Sequence, residues 1–205
     1  MNVIIQWRSS REHRILRWLS SALLLAGCLA LGFCALVYWQ AERYQASANR
    51  DFDALPPIQA PAAHMSAPAL RAFALEGSPI IRLVIPRLEM SVIVSEGVQS
   101  RTLARAAGHI TGTAFPDEPG NVGIAAHRDT YFRKLGQIRP DDLISLATPV
   151  GTYQYSVEWT RIVSPSSVDV LEPSESPVLT LVTCYPFTYI GSAPERFIVR
   201  ARRVF

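Results

Sequence analysis

Three patterns of hydrophobic and polar residues follow one another along this chain. From 19 to 39 it reads LSSALLLAGCLALGFCALVYW, with no charge and no proline. At about 1.5 Å of helical rise per residue this run is roughly 30 Å long, enough to cross a bilayer, and it predicts a transmembrane helix over 19–39. Residues 40–53 are polar helix formers that extend the helix beyond the span. From 55 to 78 the pattern dissolves: Pro56, Pro57, Pro61 and Pro68 fall among alanines, and Pro79 closes the stretch. Proline lacks a backbone donor and disfavours helix before it, so a linker is expected here, acting as a spacer between membrane and domain.

From residue 80 onward the apolar runs are short and rich in β-branched residues. Strands are expected at 80–85, 91–94, 121–126, 143–146, 153–163, 178–183 and 196–204. Turn residues separate them, as in Pro116-Asp117-Glu118-Pro119-Gly120-Asn121 and Pro140-Asp141-Asp142. Only 130–138, after Asp129 as a candidate cap, reads as helix. Many short strands with this punctuation predict an all-β barrel or sandwich. No internal repeat is visible.

Composition narrows the function classes. The 205 residues carry a net charge of +3 and 49% apolar side chains. No basic stripe with interleaved aromatics is present, so no nucleic-acid partner is expected. Arg8, Arg11, Arg14 and Arg17 precede the apolar run and only Arg43 closely follows it, beside Glu42. The positive-inside rule then places residues 1–18 in the cytoplasm and everything after the span outside. Leu25-Ala26-Gly27-Cys28 is lipobox-like, but the apolar run continues to Trp39, which favours an uncleaved anchor over a signal peptide.

Two of the three cysteines, Cys28 and Cys34, lie in the span, leaving Cys184 alone in the β-rich region. No pairing or metal spacing is available to it, and no metal or cofactor is expected. Such a thiol commonly acts as a small packing residue. Its context argues otherwise, because the strand Val178–Thr183 runs into Cys184 and the turn Tyr185-Pro186 follows at once. That places the thiol at a strand end, with rigid support behind it and open space ahead. The reactive form is the thiolate, so a partner that stabilises or takes up charge is needed. His127, at the end of the strand 121–126, is one candidate, with His109 as a rival base. Arg196, at the start of the last strand, is another. Spacing alone does not bring these three together.

The string Thr180-Leu181-Val182-Thr183-Cys184 resembles the TLxTC motif of sortases. Tyr185-Pro186-Phe187 continues it in the same manner. Gly120-Asn121-Val122 through His127-Arg128-Asp129-Thr130 resembles the stretch around the sortase histidine, and Arg196-Phe197-Ile198-Val199 the strand with its arginine. Ala126 departs from the glycine that many relatives have before the histidine. The strings His127-Arg128-Asp129-Thr130 and Cys184-Tyr185-Pro186-Phe187 resemble those of class D sortases. The resemblance covers about 80–205 and implies an eight-stranded β-barrel with short helices, behind one N-terminal transmembrane helix. The chain then divides into a cytoplasmic 1–18, a span 19–39, an extracytoplasmic extension and linker 40–79, and a catalytic domain 80–205.

The resemblance also implies a membrane-anchored cysteine transpeptidase with Cys184, His127 and Arg196 as catalytic residues and Thr183 lining the substrate groove. Its partners would be secreted proteins with an LPxTG-like C-terminal sorting signal, and an amine acceptor on a peptidoglycan precursor or a pilin lysine. A hydrolytic cysteine peptidase and a non-catalytic membrane-tethered β-domain are the alternative readings.

Overall fold

The computed structural model describes residues 10–54, 71, 74–189 and 191–204. Helix α1 runs Ser10–Asp53. Among the described residues it is the one helix long and apolar enough to cross a membrane. Cys28 and Cys34 are both exposed on it. Residues up to Gln40 form one unit; Ala41 onward belongs to a second unit with the rest of the chain. Most of the expected linker, 55–70 with 72 and 73, lies outside the described residues.

In the second unit eight strands close into a barrel: β1 (Pro79–Ile85), β2 (Met90–Glu96), β3 (Ala107–His109), β4 (Asn121–Ala125), β5 (Leu143–Thr148), β6 (Gly151–Val163), β7 (Val178–Tyr185) and β8 (Glu195–Arg203). Their order around the barrel is β1-β2-β3-β4-β7-β8-β6-β5. Two pairings, β2 with β3 and β4 with β7, are parallel. Closure leaves no free sheet edge to template aggregation. Alternation does the rest: Leu83 and Ile85, Val122 and Ile124, Leu179 and Leu181, and Val199 and Ala201 point inward into one core.

Two elements differ from the sequence expectation. β3 was not expected, since Ala107-Gly108-His109 carries no β-branched residue. It exists because Gly108 lets two backbones approach: a Cβ there would stand 2.4 Å from the Gly97 carbonyl oxygen. The helix expected over 130–138 is a turn followed by a 3-10 helix, Arg133–Gln137, whose N-cap is Phe132 without a side-chain bond, so Asp129 caps nothing. Fully buried Phe132 and Leu135 pull this segment against the core instead. A four-residue helix, α2 (Ser100–Leu103), leads into β3.

The end of α1 packs on the barrel. Tyr44, Ala48 and Phe52, spaced by four, form one stripe over fully buried Ile93 of β2. The Tyr44 hydroxyl donates to the Gly77 carbonyl at 3.1 Å and lies 2.8 Å from Ser95 Oγ. Gln45 accepts from the Ile93 N–H at 3.0 Å and donates to the Arg105 carbonyl at 2.8 Å. Arg82 of β1 is paired with Asp53.

Candidate active site

β7 carries the thiol. On this strand Leu179, Leu181 and Thr183 face the core, so Thr180, Val182 and Cys184 face outward. Cys184 is partly exposed at the strand's end, and a cis Tyr185–Pro186 bond follows. On one side β8 pairs Cys184 directly with Arg196, Val182 with Ile198 and Thr180 with Arg200. On the other side β4 runs parallel, with Asn121 beside Val178, Gly123 beside Thr180 and Ala125 beside Val182.

That parallel register continues past the end of β4. The Ala126 N–H donates to the Val182 carbonyl at 3.2 Å, and Thr183 Oγ1 donates to the Ala126 carbonyl at 2.8 Å. His127 follows Ala126, just past the last paired residue of β4. Cys184 and Arg196 therefore stand side by side, and His127, two residues past Ala125, follows in the row of strand ends made by β4, β7 and β8. The expected trio is brought to one end of one sheet face. The His127 side chain is exposed and that of Arg196 half-buried. The Phe132 N–H closes the turn beyond His127 by donating to its carbonyl at 3.1 Å.

Thr183 sits differently from the groove-lining position that the resemblance implied. It is only 2% exposed and its hydroxyl is spent on Ala126. It fastens the end of β4 to the end of β7 from beneath.

His109 is separated from this row by its surroundings. It is fully buried, with Nδ1 2.7 Å from Glu96 Oε2 and Nε2 3.0 Å from the Ala114 carbonyl oxygen. Its ring stacks on Phe115 at 4.4 Å. Both nitrogens are engaged and neither is open to a substrate. Glu96 also accepts from Thr111 at 3.0 Å.

Below the row, the outer face of the sheet is covered by the segment after β6. Asn121 Nδ2 donates to the carbonyls of Val170 and Glu172, both at 3.1 Å. Thr180 Oγ1 donates to Asn121 Oδ1 at 2.7 Å and receives Arg200 Nη1 at 2.9 Å. Desolvation by its neighbours draws the Arg200 guanidinium below its ordinary value. A Cβ on Gly123 would meet Leu171 at 3.1 Å and Thr113 at 3.0 Å, so the bare backbone there seats the covering segment. What remains open beside Cys184 is a strip floored by partly exposed Ala125 and Val182. It suits an extended peptide backbone laid along the sheet.

One residue near the row was not singled out in the sequence. Arg128, next to His127, is 9% exposed and donates to the carbonyls of Tyr189 and Gly191 in the loop between β7 and β8. Its position beside the histidine was visible; its partners, some 60 residues further along, were not. On the far side of the same loop, Tyr185, Phe187 and Phe197 form an aromatic cluster, with Phe187 and Phe197 at 5.4 Å. Among the described residues no cluster of histidine, cysteine and carboxylates suited to a metal ion is present.

Residues 83–204 match the Sortase domain family. A curated relative, Sortase D of Bacillus subtilis (strain 168), is 34% identical over 123 residues, 60% of this chain. The matched region spans 62% of that relative's length. A Clostridium perfringens Sortase D5 transpeptidase is similar in structure, with a TM-score of 0.63 at 23% identity, over 80% of this chain and 98% of the other. Sortase C-1 of Actinomyces oris gives a TM-score of 0.58 at 27% identity, over 80% and 98% of the two chains. Sortase E1 of Streptomyces coelicolor, with a tripeptide in its active site, gives 0.55 at 30% identity, over 63% and 90%.

Proposed function

This chain belongs to the sortase family and is class D-like, and from that premise we propose that it is a membrane-anchored cysteine transpeptidase acting through Cys184, His127 and Arg196. The observation that supports the reading is the direct pairing of Cys184 with Arg196 across β7 and β8, with His127 just past the end of the neighbouring strand β4.

The Cys184 sulfur attacks the carbonyl carbon of the threonine in an LPxTG-like sorting signal laid along the strip beside β7. The C–N bond to the next residue breaks and a thioester forms. His127, as imidazolium, gives its proton to the departing amine. An acceptor amine then attacks the thioester, loses a proton to the imidazole, and releases the thiolate as the new amide forms. Arg196 donates to the oxyanion of both tetrahedral intermediates, where charge develops and water is thinned by the flanking strands. Thr183 and Ala126 hold the thiol and imidazole strands in step.

The substrates are secreted proteins carrying the sorting signal, and the acceptor is an amine of a peptidoglycan precursor or a pilin lysine. Helix α1 spans the membrane with the arginines at 8, 11, 14 and 17 in the cytoplasm and the barrel outside, where both substrates reside. Anchoring all three at one surface raises their effective concentration.

The test is turnover of a quenched sorting-signal peptide by the full chain in detergent, with and without an acceptor amine. Ligated product and a hydroxylamine-sensitive acyl-enzyme are expected, and both vanish in Cys184→Ala. Normal turnover by Cys184→Ala sinks the nucleophile assignment. Acid product alone, at every acceptor concentration, favours a hydrolase.

A further inference from the structure

Arg128 is a buried cation whose bonded partners are carbonyls rather than carboxylates. Nη2 donates to the Tyr189 carbonyl at 2.7 Å and to the Gly191 carbonyl at 3.0 Å. Its Cζ lies 5.8 Å from the centre of the Tyr189 ring. Among the described residues, Nη1 is buried with no hydrogen-bond partner. Removing a guanidinium from water without a counter-charge is costly for the fold. Such a group is kept where its reach matters more than its cost.

What it reaches is the loop that separates Cys184 from Arg196. The second half of this loop is held by Arg196 itself, whose Nη1 donates to the carbonyls of Glu195 at 2.9 Å and Ala193 at 3.3 Å. Two arginines thus grip one loop, Arg128 from the end of β4 and Arg196 from the start of β8. The backbone of Arg128 is continuous with that of His127. A displacement of the loop therefore bears on all three members of the row at once.

We propose that Arg128 is a positioning residue for the transfer reaction: it ties the histidine turn to the β7–β8 loop and so sets the spacing of His127, Cys184 and the Arg196 guanidinium. It touches no substrate atom. The inference rests on the catalytic reading given above. Both bonds leave one nitrogen, Nη2, while the planar guanidinium also lies against the Tyr189 ring, a contact that a compact, strongly hydrated lysine ammonium reproduces poorly.

The experiment compares full-length Arg128→Lys, Arg128→Met and Arg128→Ala with the unaltered chain and Cys184→Ala in detergent. Acylation by the sorting-signal peptide is followed in single turnover, below the melting temperature of every variant. The Lys and Met variants are expected to acylate about tenfold to a hundredfold more slowly, with KM changed by less than about threefold, since small misplacements of reacting groups fall on the chemical step. Added guanidinium at millimolar concentration is expected to restore part of the rate to Arg128→Ala only. The inference is overturned if the Lys and Met variants acylate within about twofold of the unaltered chain, or if their rates simply follow the folded fraction with no guanidinium rescue. Cys184→Ala separates the two levels. If it is inactive while the Arg128 variants are normal, only the positioning role fails; if it turns over, the catalytic reading fails with it.

Discussion

Cys184 and Arg196 are direct partners across the β7–β8 ladder, yet the Arg196 guanidinium is bonded to the carbonyls of Ala193, in the loop that joins their strands, and of Glu195, the first residue of β8. The backbone thus brings the two residues together, while the bonds described for the guanidinium are to these two carbonyls. Substrate must compete with two carbonyls for this donor, and an oxyanion competes far better than a neutral carbonyl of the ground state.

Arg196→Ala should therefore lower kcat for peptide transfer by about a hundredfold or more, the usual scale for losing an oxyanion donor. KM should move much less, because the interaction grows only as charge develops. Steady-state kinetics with the quenched peptide checks this; an effect confined to KM would assign Arg196 to ground-state binding.

The two histidines should separate cleanly. His127→Ala should abolish transfer and leave thermal unfolding nearly unchanged, since its side chain is exposed. His109→Ala strips a buried carboxylate, Glu96, of its ring partner. Leaving a buried hydrogen-bonding group unsatisfied costs roughly 1–3 kcal/mol. Calorimetry and transfer assays on both variants decide the matter. A stable, inactive His109→Ala beside an active His127→Ala would reverse the assignment.

Acid should weaken the barrel in part through Asp142. The Arg87 guanidinium, hydrogen-bonded to it, holds this carboxyl below its ordinary value, helped by the Arg139 N–H at 2.7 Å. Glu118, hydrogen-bonded to Arg71, is lowered likewise. A depressed folded-state value means that the unfolded chain binds the proton more readily, so stability is present above the unfolded value of about 4 and is lost as pH falls through the folded one. The melting-temperature gap between the unaltered chain and Asp142→Asn should be largest near pH 7 and shrink below pH ~4. A gap independent of pH would show that the ion pair has no part in it.

The docked end of α1 should contribute measurably to the barrel. Gln45→Ala removes the acceptor of the buried Ile93 N–H, a loss of about 1–3 kcal/mol. Thermal unfolding of the full chain in detergent should show it, and amide exchange at Ile93 should quicken. Unchanged exchange there would mean that the contact does not persist in solution.

Much of this molecule was legible beforehand, for identifiable reasons. The long apolar helix and the long strands were marked by periodicity. What escaped depended on contacts between distant segments. β3 follows from Gly108 fitting against Gly97, which no propensity reports. The 130–138 segment has helical residues, but burial of Phe132 and Leu135 tightens it into a turn and a 3-10 helix. The Tyr44, Ala48, Phe52 stripe was present in the letters but read as polar extension, because its partner Ile93 lies far along the chain. The parallel register of β4 on β7, and the loop carbonyls that occupy Arg128, exist only once the barrel has closed.

The seating of Tyr44, Gln45 and Asp53 on β1 and β2 changes what residues 55–70 can accomplish. Their two flanks are fastened to the same body, through Asp53 on Arg82 and through Gly77 on Glu96. A strap buckled at both ends to one object does not work as a leash. Insertions into it should leave the end of α1 seated on β2.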